Sequence, residues 1–167
     1  MEDILSSKRI LIVDDEPDIL ETLEEILDMC IVETAHDFKT ASDCLNNNSY
    51  DVAILDIMGV KGYELLSLAN MKGIPSLILT AYALSPDHLV KSIKSGAQYY
   101  VPKYKISEIT IFLSDIIRAR EKGIKKQALW FTRLKPFFDK QFGPGWREKH
   151  KKFWEEFDRA YGVKNNQ

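Results

Sequence analysis

Cysteine is nearly absent. Cys30 and Cys44 are the two in 167 residues, too few and too isolated for a disulfide framework or a zinc site, so reduced and partly buried thiols are expected. Long apolar runs are missing too: the longest are four residues, as in Ile10-Leu11-Ile12-Val13. That excludes a membrane span and the apolar core of a signal peptide, and both absences point to the cytoplasm. No glycine-rich loop of the nucleotide-binding type occurs. His36, His88 and His150 show no metal-ligand spacing. His150, four residues after Trp146, is expected to pack on the apolar side of the last helix.

What remains is a globular balance, with 45% hydrophobic and 29% charged residues, rather than a disordered one. The net charge of −2 conceals a division. Residues 1–119 carry 10 Lys/Arg and 19 Asp/Glu, giving −9, whereas residues 120–167 carry 13 and 6, giving +7. Ten of the 18 aromatic residues fall in those last 48 positions. The shift marks a boundary near residue 120, between a domain over 1–119 and a basic, aromatic-rich tail over 120–167.

Short apolar runs recur at Ile10-Val13, Ile31-Val32, Val52-Leu55, Leu77-Leu79 and Tyr99-Val101. Apart from the weak second one, each reads as a buried strand. Helical periodicity fills the intervals: Ile19, Leu23, Ile26 and Leu27 share a face, as do Leu89, Ile93 and Ala97. Ile109, Phe112, Leu113, Ile116 and Ile117 form the clearest stripe. Ser85 before Pro86, and Ser107, read as N-caps, while Gly73 and Gly96 stop helices. Five strand-helix units predict an α/β fold, a doubly wound parallel sheet with helices on both faces.

In such sheets ligands bind beyond the carboxyl ends of the strands. There the chain places Asp14-Asp15, Asp56, Thr80 and Lys103, from four different strands. Three crowded carboxylates repel unless a cation neutralises them, and an all-oxygen set suits Mg²⁺. A carboxylate beside such a metal can attack phosphorus, with Lys103 offsetting charge on the transferred group and Thr80 donating to it. Taken singly these residues have plainer readings: Asp14-Asp15 as a helix cap, Asp56 as a loop acid, Thr80 as a strand end, Lys103 as a solvated lysine, Tyr100 as core. Their joint register is what favours chemistry.

Ile12-Val13-Asp14-Asp15-Glu16-Pro17, the Asp56 strand end, Thr80-Ala81, and Tyr100 three residues before Lys103 resemble the receiver domain of bacterial two-component response regulators, over about residues 8–119. The resemblance implies a flavodoxin-like five-stranded sheet in the order 2-1-3-4-5. It implies Asp56 as phosphoacceptor, Asp15 as a direct Mg²⁺ ligand, Asp14 acting through metal-bound water and the Met58 carbonyl completing the set. Thr80 and Tyr100 become a switch pair that repacks the surface of helix four, strand five and helix five. The implied donor is a histidine kinase or phosphotransfer protein, and the output a protein–protein contact. Two features depart from the family pattern. Asp56 to Gly62 is six residues rather than the usual eight, and the family's proline in that loop is missing. Tyr104, not proline, follows Lys103, where the family has a cis peptide bond. Met58 stands where aspartyl phosphotransferases carry a second acid, so substrate turnover is not expected: a phosphoacceptor switch rather than an enzyme.

The tail reads as a short helical hairpin turning at Gly143-Pro144-Gly145, with Gly123 and Pro136 as breaks or kinks. Trp146, Phe153, Phe157 and Tyr161 lie near one face, ending at Gly162. So much aromatic surface must be covered, first by the tail itself and helix five. A protein partner or self-association comes next, and nucleic acid third. The tail's charge, opposite to that of its own receiver, makes that domain its first expected partner.

Overall fold

Each apolar run becomes a strand, including the weak second one. A computed structural model describes residues 3–81, 84–123 and 127–161, with backbone alone for 127–130; Tyr82, the Trp130 side chain and Gly162 lie outside the described residues. The strands are β1 (Arg9–Val13), β2 (Ile31–Ala35), β3 (Val52–Leu55), β4 (Ser76–Thr80) and β5 (Tyr99–Pro102). They form one parallel sheet in the order β2-β1-β3-β4-β5. Between them run α1 (Pro17–Ile26), α2 (Phe38–Asn47), α3 (Gly62–Met71) and α4 (Pro86–Lys94), and a 3-10 helix (Lys103–Glu108) leads into α5 (Ile109–Glu121). Right-handed crossovers that reverse direction after β2 put α1 on one face and α2, α3 and α4 on the other. The three strands inside that order, β1, β3 and β4, explain the near-continuous apolar runs: β3 is buried at every position, and β1 at all but its first. Edge strand β2 is only partly covered, which is why its pattern is the weakest.

Local signals mostly decide the helix ends. The Ser85 hydroxyl accepts the His88 backbone N–H at 3.1 Å and caps α4, and Asp37 does the same for α2 through the Thr40 N–H at 2.8 Å. Gly73 and Gly96 adopt positive φ after α3 and α4. Ser107 does not cap α5. It lies inside the 3-10 helix, and α5 starts at Ile109 with no side-chain cap. The stripe of Ile109, Phe112, Leu113, Ile116 and Ile117, all buried, supplies by packing what the cap does not.

Beyond Gly123 the chain forms α6 (Gln127–Phe142), a 3-10 turn (Glu148–His150) and α7 (Lys151–Ala160). Pro136 sits inside α6 without ending it. A mid-helix proline costs about 3 kcal/mol; here buried Phe131, Leu134 and Phe138 carry the helix through. Phe131, Phe138, Trp146, Trp154 and Phe157 form the tail's own core, with ring centroids 4.9 Å apart for Phe131–Trp154 and 5.3 Å for Trp154–Phe157. The Trp146 indole donates to Asp139 Oδ1 at 2.8 Å. The Arg147 guanidinium lies 4.6 Å from the Trp154 ring and bonds both Asp158 oxygens, at 2.9 and 3.0 Å. His150 is turned outward from that core: its Nε2 is 2.8 Å from Asp87 Oδ1 on α4, so the expected apolar packing gives way to a polar link with α4.

The α5 stripe is buried at every position, and its centre should be intolerant of truncation. Leu113→Ala, at a fully buried position, is expected to lower the unfolding free energy by about 2–5 kcal/mol. Urea denaturation should show the midpoint falling with an unchanged slope.

Candidate functional site

The site is assembled from strand ends. The Asp14 N–H bonds the Ala35 carbonyl at 3.1 Å and the Asp56 N–H bonds the Val13 carbonyl at 3.0 Å, so both acids continue the sheet ladder one residue past β1 and β3. Asp14, Asp15 and Asp56 each offer a carboxylate oxygen, and these three atoms lie within 4.8 Å of one another. Asp14 and Asp56 are buried, whereas Asp15 is exposed. Thr80 ends β4 fully buried and stands opposite Pro102 in the β4–β5 register, which sets Lys103 just beyond it. The Lys103 ammonium is 2.9 Å from Asp14 Oδ2, 3.5 Å from Glu16 Oε2 and 3.8 Å from Asp56 Oδ2.

Lys103 reaches the acids without a cis bond: no peptide bond among the described residues is cis. The 3-10 helix that begins at Lys103 turns the chain away instead and leaves Tyr104 exposed. The short loop after Asp56 closes by a different device. Lys61 takes a left-handed conformation and the Gly62 N–H bonds the Ile57 carbonyl at 3.1 Å. A Cβ on Gly62 would stand 2.1 Å from the Asp56 carbonyl oxygen, and one on Gly59 2.4 Å from Asp15 Oδ2. The loop therefore needs both glycines to lie against the acids. Met58 is about half exposed, and its backbone N–H donates to the Asp56 carboxylate.

Charge dominates this pocket. Burial first, then the Asp14 and Asp15 charges, push the Asp56 carboxyl up to about 7, against the pull of Lys103 and the Met58 N–H. Burial also raises Asp14. For Lys103, burial alone would lower the ammonium, but Asp14, Asp56 and Glu16 more than reverse it. Carboxylates this close repel by roughly 3 kcal/mol per pair at an effective dielectric of about 20. Asp14, Asp15, Asp56 and Glu16 against one ammonium leave three negative charges, two of which one divalent cation would balance. The all-oxygen set fits a hard ion such as Mg²⁺. The ammonium has three N–H donors and only Asp14 stands within 3 Å of it, so donors remain for an incoming anion.

Tyr100 lies three residues before Lys103, fully buried. Its hydroxyl accepts the Ser85 N–H at 3.3 Å, and burial pushes its phenol up. Sequence reasoning assigned no role to Glu16, which is the third acid on Lys103. The signal was its place in the Asp-Asp-Glu run: Asp14 Oδ1 accepts the Glu16 N–H at 2.9 Å, and that turn swings Glu16 to the pocket. The roles of Gly59 and Gly62 were also missed; two glycines within six residues of Asp56 were the available sign.

The raised Asp56 value has a consequence for stability in the absence of divalent metal. The folded chain keeps this proton up to about pH 7, whereas an ordinary aspartate releases it near 3.8. The contribution is therefore complete at low pH and is lost as pH rises from about 4 through about 7. With chelator present, Asp56→Asn should raise Tm by several degrees at pH 8 and by much less at pH 4.5, as measured by thermal denaturation.

The family model for the response regulator receiver domain matches residues 10–112. Curated relatives include two-component response regulator ARR10 of Arabidopsis thaliana, 30% identical over 118 residues, covering 66% of this chain and 21% of that protein. Response regulator MprA of Mycobacterium sp. (strain KMS) is 32% identical over 135 residues, covering 75% of this chain and 58% of that protein. The chain thus spans between about a fifth and three fifths of the length of these relatives. Among solved structures, the CheY-like receiver domain protein of Methanospirillum hungatei JF-1 superposes with a TM-score of 0.65 at 29% identity, over 71% of this chain and 99% of that one. The BeF3-activated DrrB receiver domain gives 0.57 at 27% identity, over 67% and 98%. With strand order, acidic pocket and these matches in agreement, the chain belongs to the response regulator receiver domain family of two-component systems.

Proposed function

We propose that Asp56 accepts a phosphoryl group from a histidine kinase or phosphotransfer protein in a cytoplasmic two-component system. In this reading residues 1–119 form the receiver and 120–167 its output tail. The observation that carries the reading is the placement of the Lys103 ammonium between Asp14 and Asp56, 2.9 and 3.8 Å from their carboxylates. Mg²⁺ would be held by Asp14, Asp15, Asp56 and the Met58 backbone carbonyl; once bound, it supplies the positive charge that keeps the carboxylates ionised together.

The ionised Asp56 oxygen attacks the donor's phosphorus, and a bond forms between them. The phosphorus–nitrogen bond of the phosphohistidine breaks, and its electron pair returns to the imidazole nitrogen. Lys103 offsets charge on the transferred oxygens, and the Thr80 hydroxyl donates to one of them. Thr80 and Tyr100 act as the switch pair. Reversal is slow by design: Met58 offers no carboxylate or amide to orient an attacking water, and no second acid supports turnover of a substrate. Output runs through protein contacts rather than nucleic acid. Arg133, Arg147 and Lys149 are paired with carboxylates of the chain itself.

Labelling with a small acyl-phosphate donor tests the reading. Asp56→Ala and excess chelator should each abolish the label, and Lys103→Ala should slow labelling by about 10²-fold. The bond should be labile to alkali and hydroxylamine. A label that survives Asp56→Ala would place the chemistry elsewhere. In a chase experiment Met58→Asn should shorten the lifetime of the phosphorylated form; an equal or longer lifetime would show that the water is controlled by other groups.

A further inference from the structure

Asp15 differs from the other two acids of the pocket in how it is held. Asp14 accepts the Glu16 N–H and meets Lys103 at 2.9 Å, and Asp56 accepts the Met58 N–H. The Asp15 carboxylate is exposed and has no hydrogen-bond or ion-pair partner among the described residues. What confines it is the backbone of the loop after Asp56. A Cβ on Gly59 would stand 2.4 Å from Asp15 Oδ2, 2.8 Å from its Cγ and 3.2 Å from its Oδ1. The whole carboxylate therefore lies against the glycine, with no room for a methyl group between them. That wall is fixed. Gly59 and Lys61 both have left-handed φ, +87° and +55°, and the Gly62 N–H closes the turn on the Ile57 carbonyl at 3.1 Å. Ile57 and Val60 are buried and pin the loop on either side of Gly59.

We propose that Gly59 is a positioning residue for Asp15, and that through this contact the short loop makes the acidic pocket select Mg²⁺ over the larger Ca²⁺. The proposal rests on the reading above, in which Asp14, Asp15 and Asp56 hold a divalent cation, and adds what sets the choice of ion. Mg²⁺ needs near-octahedral oxygens at about 2.0–2.1 Å and keeps several waters. Ca²⁺ takes roughly six to eight oxygens at about 2.3–2.6 Å, often both from one carboxylate. A pocket adapts to the larger ion by spreading its acids or by turning a carboxylate so that both oxygens face inward. Asp14 and Asp56 cannot spread, because their backbone N–H groups belong to the sheet ladder. Asp15 is the exposed acid of the three, with no bond to hold its orientation, and Gly59 stands against all three atoms of its carboxylate and blocks the turn. The loop's length, six residues from Asp56 to Gly62, is what brings backbone this near.

Isothermal calorimetry of the full chain, titrated separately with Mg²⁺ and Ca²⁺, tests this through the ratio of the two affinities. Gly59→Ala sets a methyl group against the flexible end of Asp15. It should weaken Mg²⁺ binding by about tenfold and Ca²⁺ binding by much less, so the ratio falls. Asp15→Glu leaves the loop untouched and carries the carboxylate one methylene beyond Gly59; it should lower the ratio in the same direction. Lys61→Gly relieves a left-handed lysine without touching Asp15 and should leave the ratio unchanged. With Asp15→Ala in place, adding Gly59→Ala should change neither affinity further, which separates contact with Asp15 from a general loosening of the loop. Thermal denaturation with chelator shows whether Gly59→Ala is folded, and Asp15→Glu carries the test where it is not. A ratio unchanged in folded Gly59→Ala or in Asp15→Glu overturns the proposal, as does a Lys61→Gly chain whose ratio falls as far. Asp56 labelling of the unmodified chain is read alongside: its presence leaves the phosphoacceptor reading intact whatever the ratio does. Its absence, together with no binding of either ion, overturns both.

Discussion

Three carboxylates converging on one ammonium at the edge of a parallel sheet is the constraint around which this receiver is arranged. Asp14 and Asp56 are buried there because the ladders of β1 and β3 extend one residue past the strands, not because burial suits them. Burial raises the protonation of both acids, and at Asp56 the charges of Asp14 and Asp15 add to it. Lys103 relieves only part of it. A site with excess negative charge and incompletely engaged ammonium donors is prepared for a cation and for an anion together, which is what phosphoryl transfer to a carboxylate requires.

Backbone geometry serves the same end. The loop after Asp56 is short, and it closes because Gly59 and Gly62 let it lie directly against Asp15 and Asp56. Lys103 is delivered from the other side by β5 and a 3-10 helix with an ordinary trans bond. The departures from the family pattern in the sequence are therefore local changes of route, and the acid–ammonium contact survives both.

The tail extends this arrangement outward. Its aromatic residues form a core of their own, and one edge of that core, Phe138, reaches Tyr100. The surface next to the chemistry is thus already occupied by a segment of opposite net charge, held by carboxylates on α4 and α5. Four cations of the tail, Arg133, Lys135, Arg147 and Lys149, have carboxylate partners within the chain.

Much of this was legible in the amino-acid order, because the information was local or followed from strand topology. Buried strands announce themselves as apolar runs, and a parallel sheet sends every strand's carboxyl end to one edge; Asp14, Asp15, Asp56, Thr80 and Lys103 follow from those two facts. Ser85 was readable as a cap because a cap is a four-residue interaction. Ser107 and Pro136 misled because packing of the α5 stripe and of the α6 aromatics outweighs local preference. Glu16 on Lys103, His150 on Asp87 and Arg133 on Asp115 join elements distant in the chain, and no spacing rule encodes such pairs. Charge and aromatic content by themselves determined that the tail must be covered. Which face would cover it was decided only in three dimensions, where the ring of Tyr100 and the carboxylates of Asp87 and Asp115 come within reach of one helical hairpin.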